Sequence, residues 1–147
     1  MNRRQVLKIC ALSVATTLAM PLRAFAALWN QAAFESREVD GALQGLGIAK
    51  VGPSRDIVLI APDVAENGAI VQIEVESRIP NTEAISILVD KNPTPLVANF
   101  VFSNDTMPSL IIRIKMAETS ELKAIVKSDG KYYSVARKVE VALGGCG

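Results

Sequence analysis

The sequence of 147 residues contains no histidine, only 5% aromatic residues and only two cysteines. Without histidine, the chain cannot supply the Ser/His/Asp or Cys/His arrangements of nucleophilic catalysis, or a histidine ligand for zinc. Lys and Arg number 16 against 15 Asp and Glu, so the strong positive charge typical of nucleic-acid binding is also missing. These absences argue against most hydrolytic enzymes and against a nucleic-acid-binding protein.

The first 26 residues have the organisation of an export signal. Arg3 and Arg4 precede an apolar run over 9–20, and residues 24–26 form an A-x-A cleavage site. The adjacent arginines resemble a twin-arginine signal, which exports folded proteins; an ordinary Sec signal is the alternative. Because the apolar run is shorter than the ~20 residues that span a bilayer, we expect no membrane insertion after cleavage, and a periplasmic location.

Cleavage after Ala26 would leave 121 residues, a length typical of one domain. The signal contains four positive and no negative side chains, so its removal would change the net charge from +1 to −3. Cys146 would then be the only cysteine. We therefore predict a signal peptide at 1–26, one domain at 27–143 and a short tail at 144–147.

The pattern of apolar residues predicts one helix followed by strands. Residues 30–46 carry apolar side chains at spacings near three and four, which is typical of a short amphipathic helix. Asn67-Gly68 and Asp129-Gly130 are typical of tight hairpin turns. About seven strands without intervening helices predict an all-β, immunoglobulin-like antiparallel β-sandwich. The strands are expected at 56–61, 69–79, 84–90, 96–102, 109–116, 121–127 and 132–143.

Four carboxylates in one part of the chain raise the question of a metal or acid–base site: Asp63, Glu66, Glu74 and Glu76. Glu74 and Glu76 alternate along one face of a predicted strand, where solvated surface charge is the ordinary explanation. We therefore expect no metal site, no catalytic residue and no cofactor of the chain's own.

The tail Gly144-Gly145-Cys146-Gly147 needs a functional explanation. Its three glycines place no side chain beside the thiol and give the backbone high freedom. A free thiol in an oxidising compartment normally pairs or is oxidised, and no neighbour in the tail would activate this one. Two interpretations follow. The tail is a flexible arm that carries a group on Cys146 to partner enzymes, or Cys146 forms a structural intermolecular disulfide in an exported interaction module.

Three internal segments occur in order between the paired arginines and the tail: IAPDVAENGA at 60–69, NPTP at 92–95 and RIKMAETS at 113–120. Together with the twin-arginine leader and the terminal Gly-Gly-Cys-Gly, they resemble the SoxY family, the sulfur-carrier subunits of the periplasmic Sox thiosulfate-oxidising system. The family tail often has one further glycine. The shorter tail here leaves the effect of its length open, but not the role that the resemblance implies.

The resemblance implies a non-catalytic carrier that forms a heterodimer with a SoxZ-like subunit and holds sulfur intermediates as covalent adducts on Cys146. Gly144, Gly145 and Gly147 would make the arm flexible. Three partner enzymes are implied as well: a haem c enzyme that conjugates thiosulfate to the cysteine, a hydrolase with a metal site that releases sulfate, and a sulfane dehydrogenase.

Overall fold

The computed structural model describes residues 31–103 and 105–142. Residues 31–35 are helical, and a second helical segment, α1, covers Val39–Gly45. Nine β-strands follow: β1 (Gly52–Pro53), β2 (Ile57–Ile60), β3 (Val64–Ala65), β4 (Val71–Ser77), β5 (Thr82–Val89), β6 (Leu96–Val101), β7 (Ser109–Ile114), β8 (Ser120–Ser128) and β9 (Lys131–Val141).

The strands form two sheets that pack as a sandwich, which confirms the predicted all-β fold. The larger sheet has the order β1-β9-β8-β5-β6, with β3 also pairing with β9, and the smaller sheet has the order β2-β4-β7. The longer strands pair antiparallel, but β1 and β3 both pair parallel with β9. The sequence did not indicate these two short parallel pairings, because two-residue strands are too short to show alternation.

The main core lies between the two sheets and follows the period of two that strands impose. In β4, for example, Val71, Ile73 and Val75 are buried while Gln72 is exposed. In β8, Leu122 makes the same inward contact from the larger sheet. Burial of each such side chain contributes roughly 1.5–3 kcal/mol to folding.

A second apolar cluster covers part of the outer face of the larger sheet. Ala33 and Ala42 from the helical segments are fully buried there, packed with Leu88 of β5. Gly45 lies so near Ala33 that an added Cβ would come within 2.7 Å of its Cα. The helical segments therefore contact each other closely while they cover the sheet.

The helix predicted over 30–46 is interrupted at 36–38. The hydroxyl of Ser36 donates a hydrogen bond to Glu38 O at 2.8 Å and accepts one from Glu38 N–H at 3.2 Å. Such local side-chain bonds to the backbone compete with the helical pattern. The interruption divides the predicted helix into the two segments.

Only one of the two predicted hairpin turns forms. Asp129 and Gly130 have φ angles of 48° and 71°, as a tight turn between β8 and β9 requires. The prediction for Asn67-Gly68 is wrong, because this turn connects β3 in one sheet to β4 in the other. There the side chain of Asn67 accepts a hydrogen bond from Ala69 N–H at 2.9 Å.

The two lateral sides of the sandwich differ. On the first, the chain passes from β1 in the larger sheet to β2 in the smaller sheet and back to β3, so residues 52–65 join the sheets; this is the closed side. On the second, β6 and β7 are the outermost strands of the two sheets and follow each other in sequence; residues 96–114 form the open side. In the described part of the chain, no helix has the length and apolar character needed to cross a membrane.

Candidate functional site

The tail residues predicted as functional, Gly144, Gly145, Cys146 and Gly147, lie outside the described residues, and so do the predicted signal peptide and the first residues of the domain. The structure does describe the chain up to residue 142, where the tail's connection to the domain begins. The candidate site is therefore built from the surface around the end of β9.

Three hydrogen bonds, two to the closed side and one to Thr119, hold the end of β9. The N–H groups of Glu140 and Ala142 donate to backbone oxygens of the closed side, at residues 63 and 65, each at 2.9 Å. Between them, Val141 N–H donates to the hydroxyl of Thr119 at 2.9 Å. Because every backbone amide from 140 to 142 donates a hydrogen bond, the last described residues of the chain are fixed in position.

Asn92 connects two loops beside this strand end. Its Nδ2 donates to Lys115 O at 2.8 Å, and its Oδ1 accepts from Ala117 N–H at 2.9 Å. The neighbouring Lys91 N–H donates to the hydroxyl of Ser120 at 3.0 Å. An asparagine provides this pair of bonds because one side chain carries both a donor and an acceptor.

Gly68 allows the turn after β3 to approach the same place. Met116 N–H donates to Gly68 O at 2.7 Å. A Cβ on Gly68 would collide with Met116 O and would lie 2.8 Å from Cγ1 of Val141. The close approach leaves a shallow cavity of about 300 Å³, whose wall includes Pro93 and Ala117. Residues 63–68, 91–93, 115–120 and 140–142 together form the surface that we name the tail base.

Charged side chains of both signs surround the tail base. The guanidinium of Arg137 lies 2.6 Å from the carboxylate of Asp63. Farther along the surface, Lys91 and Glu118 are 3.5 Å apart. These pairs are exposed and contribute little to stability, but they give the surface a mixed polar character.

Lys123, on the outer face of the larger sheet, is held between two carboxylates. Its Nζ lies 3.0 Å from Asp90 Oδ2 and 3.1 Å from Glu121 Oε1. Burial acts to lower the pKa of Lys123, but the hydrogen bonds to the two carboxylates outweigh it and leave the pKa above its ordinary value. A raised pKa keeps Lys123 charged, which suits a structural cation and not a proton acceptor near neutral pH.

Comparison with known proteins identifies the family. Residues 44–146 match the sequence model of the family described as Sulfur oxidation protein SoxY. The solved sulfur carrier protein SoxY from Chlorobium limicola f thiosulfatophilum is 35% identical, with a TM-score of 0.66, over 77% of this chain and 99% of that chain. This chain belongs to the SoxY family. Family membership and structural similarity support a carrier role in sulfur oxidation, and the family suggests a carrier more than an enzyme.

A second solved structure shares only the fold with this member of the SoxY family. The superoxide reductase (neelaredoxin) from Ignicoccus hospitalis is 14% identical, with a TM-score of 0.52, over 60% of this chain and 81% of that chain. A comparison with curated proteins gave no match.

The segments that carried the resemblance to the SoxY family meet at the tail base. Segment 60–69 supplies two of the bonds to β9, and segment 92–95 begins with the bridging Asn92. Segment 113–120 contains the single loop that both Asn92 and Val141 contact. The sequence singled out these segments but not what they do. Thr119 was missed as a partner of β9, since a hydroxyl that caps a distant amide leaves no local pattern.

The four carboxylates considered from the sequence do not converge. Glu74 and Glu76 lie on the outer face of β4, half-buried, and Glu76 pairs with Arg78 at 3.1 Å. Asp63 pairs with Arg137 on the closed side. Within residues 31–103 and 105–142, no three potential metal-binding side chains cluster.

Proposed function

We infer that this protein carries sulfur intermediates covalently on Cys146 during thiosulfate oxidation and that it does so as a heterodimer with a SoxZ-like subunit. The observation that supports the proposal most strongly is the match to the SoxY family, which extends through residue 146 and so includes the cysteine. The similar Chlorobium protein is itself described as a sulfur carrier.

The fixed end of β9 supports this role in physical terms. A carrier needs a firm domain and a reactive group that can leave its surface. The bonded amides at 140–142 provide the firm part. The glycines at 144, 145 and 147 have no side chains, so the tail would be narrow enough to enter an enzyme's active site.

The proposed chemistry takes place in partner enzymes. A haem c enzyme would accept a pair of electrons while the Cys146 thiol, losing its proton, and thiosulfate form a sulfur–sulfur bond. A hydrolase with a metal site would then use water to cleave the bond to the terminal sulfone, which leaves as sulfate and leaves a persulfide on Cys146. A sulfane dehydrogenase would accept six electrons from the outer sulfur, which takes three oxygens from water and becomes a sulfonate on Cys146. The hydrolase would then release this group with water as sulfate and restore the thiol. The carrier supplies only the thiol and has no cofactor of its own.

The export signal belongs to the same proposal. The proposed twin-arginine route would deliver a folded chain, cleaved after Ala26, to the periplasm. A subunit that folds before export can also bind its partner subunit before it crosses the membrane.

The test is intact-mass analysis of the mature chain after incubation with thiosulfate and the partner enzymes. We expect the mass of a thiosulfonate or persulfide adduct in the wild type and none in Cys146→Ser, whose thermal midpoint should be nearly unchanged. As a control, Lys131→Cys in the Cys146→Ser background places an exposed thiol at the first residue of β9, at the end of the strand opposite to the tail.

The control thiol should react with a small alkylating reagent but should not be loaded by the enzymes. Equal loading of the control thiol would contradict a dedicated carrier tail. A wild-type protein that contains only intermolecular disulfide, with no sulfur adduct, would instead favour the structural cross-link.

A further inference from the structure

The open side presents one edge strand of each sheet. β6 pairs only with β5, and β7 pairs only with β4, in the part of the chain that the structure describes. The closed side also has edge strands, β1 and β2, but there the chain crosses between the sheets twice within residues 52–65, whereas it crosses once on the open side. Unpaired strands offer rows of free N–H and C=O groups to any other extended chain.

The direction of the free backbone groups follows from one hydrogen bond in each sheet. Pro108 O accepts from Ser77 N–H at 2.9 Å, so alternation directs the groups of residues 110, 112 and 114 toward β4. The groups of residues 111 and 113 therefore point away from the sheet. By the same reasoning, Phe102 N–H, which donates to Glu83 O, leaves the groups of 99 and 101 pointing away from β5.

The side chains along the open side are apolar and almost uncharged. Val101, Met107 and Ile111 are 77%, 79% and 64% exposed, the highest values among large hydrophobic side chains in the described residues. Between residues 96 and 114, Asp105 and Arg113 are the only charged residues in the sequence. Edge strands that remain in water usually carry charges that prevent pairing; β6 carries none and β7 carries one, Arg113.

The other surfaces suit a partner subunit less well. The helical segments already cover part of the outer face of the larger sheet. Away from its edge at Ile111, the outer face of the smaller sheet carries Glu74 and Glu76. The closed side carries the pair of Asp63 and Arg137. The tail base must stay accessible if the tail is to reach other enzymes.

We propose that the open side binds the SoxZ-like subunit by strand addition, with an extended and largely apolar strand of that subunit pairing with β7 and covering Val101 and Met107. This inference rests on the proposed heterodimer and assigns its surface. Main-chain hydrogen bonds to residues 111 and 113 would fix the register, and the exposed apolar side chains would supply the buried area.

The first test is amide hydrogen exchange of the carrier chain alone and in complex with the separately purified SoxZ-like subunit. We expect the amides of 111 and 113 to exchange rapidly in the free chain and to become protected in the complex. The amides of 110 and 112 should be protected in both states because they bond to β4. This alternation distinguishes strand addition from contact through a sheet face.

The second test uses two isoleucines that lie in the same cross-strand row. Ile60 and Ile111 flank Glu74 on the outer face of the smaller sheet, and they are 52% and 64% exposed. Ile111→Lys should raise the dissociation constant of the heterodimer by about 100-fold, as loss of a central anchor does. Ile60→Lys, the matched control, should change it by less than about threefold.

The outcomes separate this inference from the carrier proposal. Loss of binding in Ile60→Lys but not in Ile111→Lys would overturn the assigned surface and leave the carrier role intact. Protection of 111 and 113 in the isolated chain, together with a doubled mass, would assign the strand to a second copy and overturn the inference. Two chains that do not associate would overturn both the heterodimer and its surface. Normal association without sulfur loading would overturn only the carrier role.

Discussion

The closed and open sides of the sandwich differ in how the chain connects the two sheets. On the closed side, the chain itself passes between the sheets, and β3 pairs with β9 through Val64 and Ala65. On the open side, the chain crosses between the sheets once, at residues 102–108, and in the described residues no further strand pairs with β6 or β7. The same two sheets are therefore joined by two chain crossings on one side, where β1 and β2 are the edge strands, and by a single crossing on the other side, to which we assign the partner subunit.

The two sides also serve different parts of the proposed function. The crossing chain of the closed side supplies the backbone oxygens that hold Glu140 and Ala142, so it fixes the position from which the tail leaves the domain. The open side lies across the sandwich from the closed side. A carrier built in this way can bind its partner subunit on one side without obstructing the chain that leads to Cys146.

The largest expected effect comes from placing the same charge on each side. Ala65 is 5% exposed, so Ala65→Asp would bury a carboxylate without a partner and should destabilise the fold by about 3 kcal/mol or more. Val101→Asp, on the 77% exposed side chain of β6, should change the free energy of unfolding by less than about 0.5 kcal/mol. Urea denaturation of the isolated chain measures both.

Equal destabilisation by the two aspartates would show that the open side is packed in the isolated chain. If Val101→Asp lowered the free energy of unfolding and also tightened binding of the SoxZ-like subunit, the role assigned to β6 would be wrong as well.

A smaller effect should follow from loosening the connection that Asn92 makes between the two sheets at one end of the open side. Asn92 follows β5 of the larger sheet and bonds to Lys115 and Ala117, just beyond β7 of the smaller sheet. Asn92→Ala removes both bonds and should cost about 1–3 kcal/mol. The control Asn67→Ala removes one exposed, local bond and should cost about 1 kcal/mol or less.

Thermal or urea unfolding measures these costs, and hydrogen exchange locates them. In Asn92→Ala, the amide of Ala117 should lose protection while the amides of 110 and 112 keep it. Loss of protection along all of β7 would mean that Asn92 holds the whole strand and not only its end.

The contrast between the two sides explains how far the sequence could predict the structure. The period-two burial of β4 and β8 is a local pattern, and it predicted the strands and the sandwich. The crossing through β1 and β3 depends on two-residue pairings with a strand distant in sequence, which no local pattern reveals. For the same reason, the turn at Asn67-Gly68 was assigned to a hairpin, although it connects two sheets.

The candidate site could also be predicted from the sequence only in part. The sequence singled out Cys146 by its glycine neighbours and three segments by their resemblance to the SoxY family. That these segments meet at the end of β9 depends on long-range bonds, such as that from Val141 to Thr119. The open side was not predicted, because an unpaired strand has the same alternation as a paired one.

The smallest expected effect concerns an ion pair beside Val101 at the far end of the open side. Glu83 and Lys127 lie 2.8 Å apart. Hydrogen bonds from Lys127 and from Gly130 N–H hold the pKa of Glu83 below its ordinary value, and the bond to Glu83 raises the pKa of Lys127. A carboxyl group whose pKa is lower in the folded state stabilises the fold at pH values above its ordinary pKa. This stabilisation is lost as the pH falls through the folded-state pKa. A lysine whose pKa is higher in the folded state stabilises the fold at pH values below its ordinary pKa. This stabilisation is lost as the pH rises through the folded-state pKa.

The pair should therefore stabilise the fold across the neutral range and lose its contribution at both extremes of pH. Glu83→Gln should be slightly less stable than the wild type near pH ~7, with a difference that disappears toward pH ~2, since exposed pairs are weak and screened by salt. Glu66→Gln makes the same change of charge at a carboxylate without a salt bridge in the described residues, and it serves as the control. The measurement is the urea midpoint as a function of pH, in the isolated chain and in the heterodimer. A larger pH-dependent difference in the heterodimer would show that the partner covers Glu83 as well as β7, because burial strengthens the pair. An unchanged difference would limit the interface to the middle of the open side.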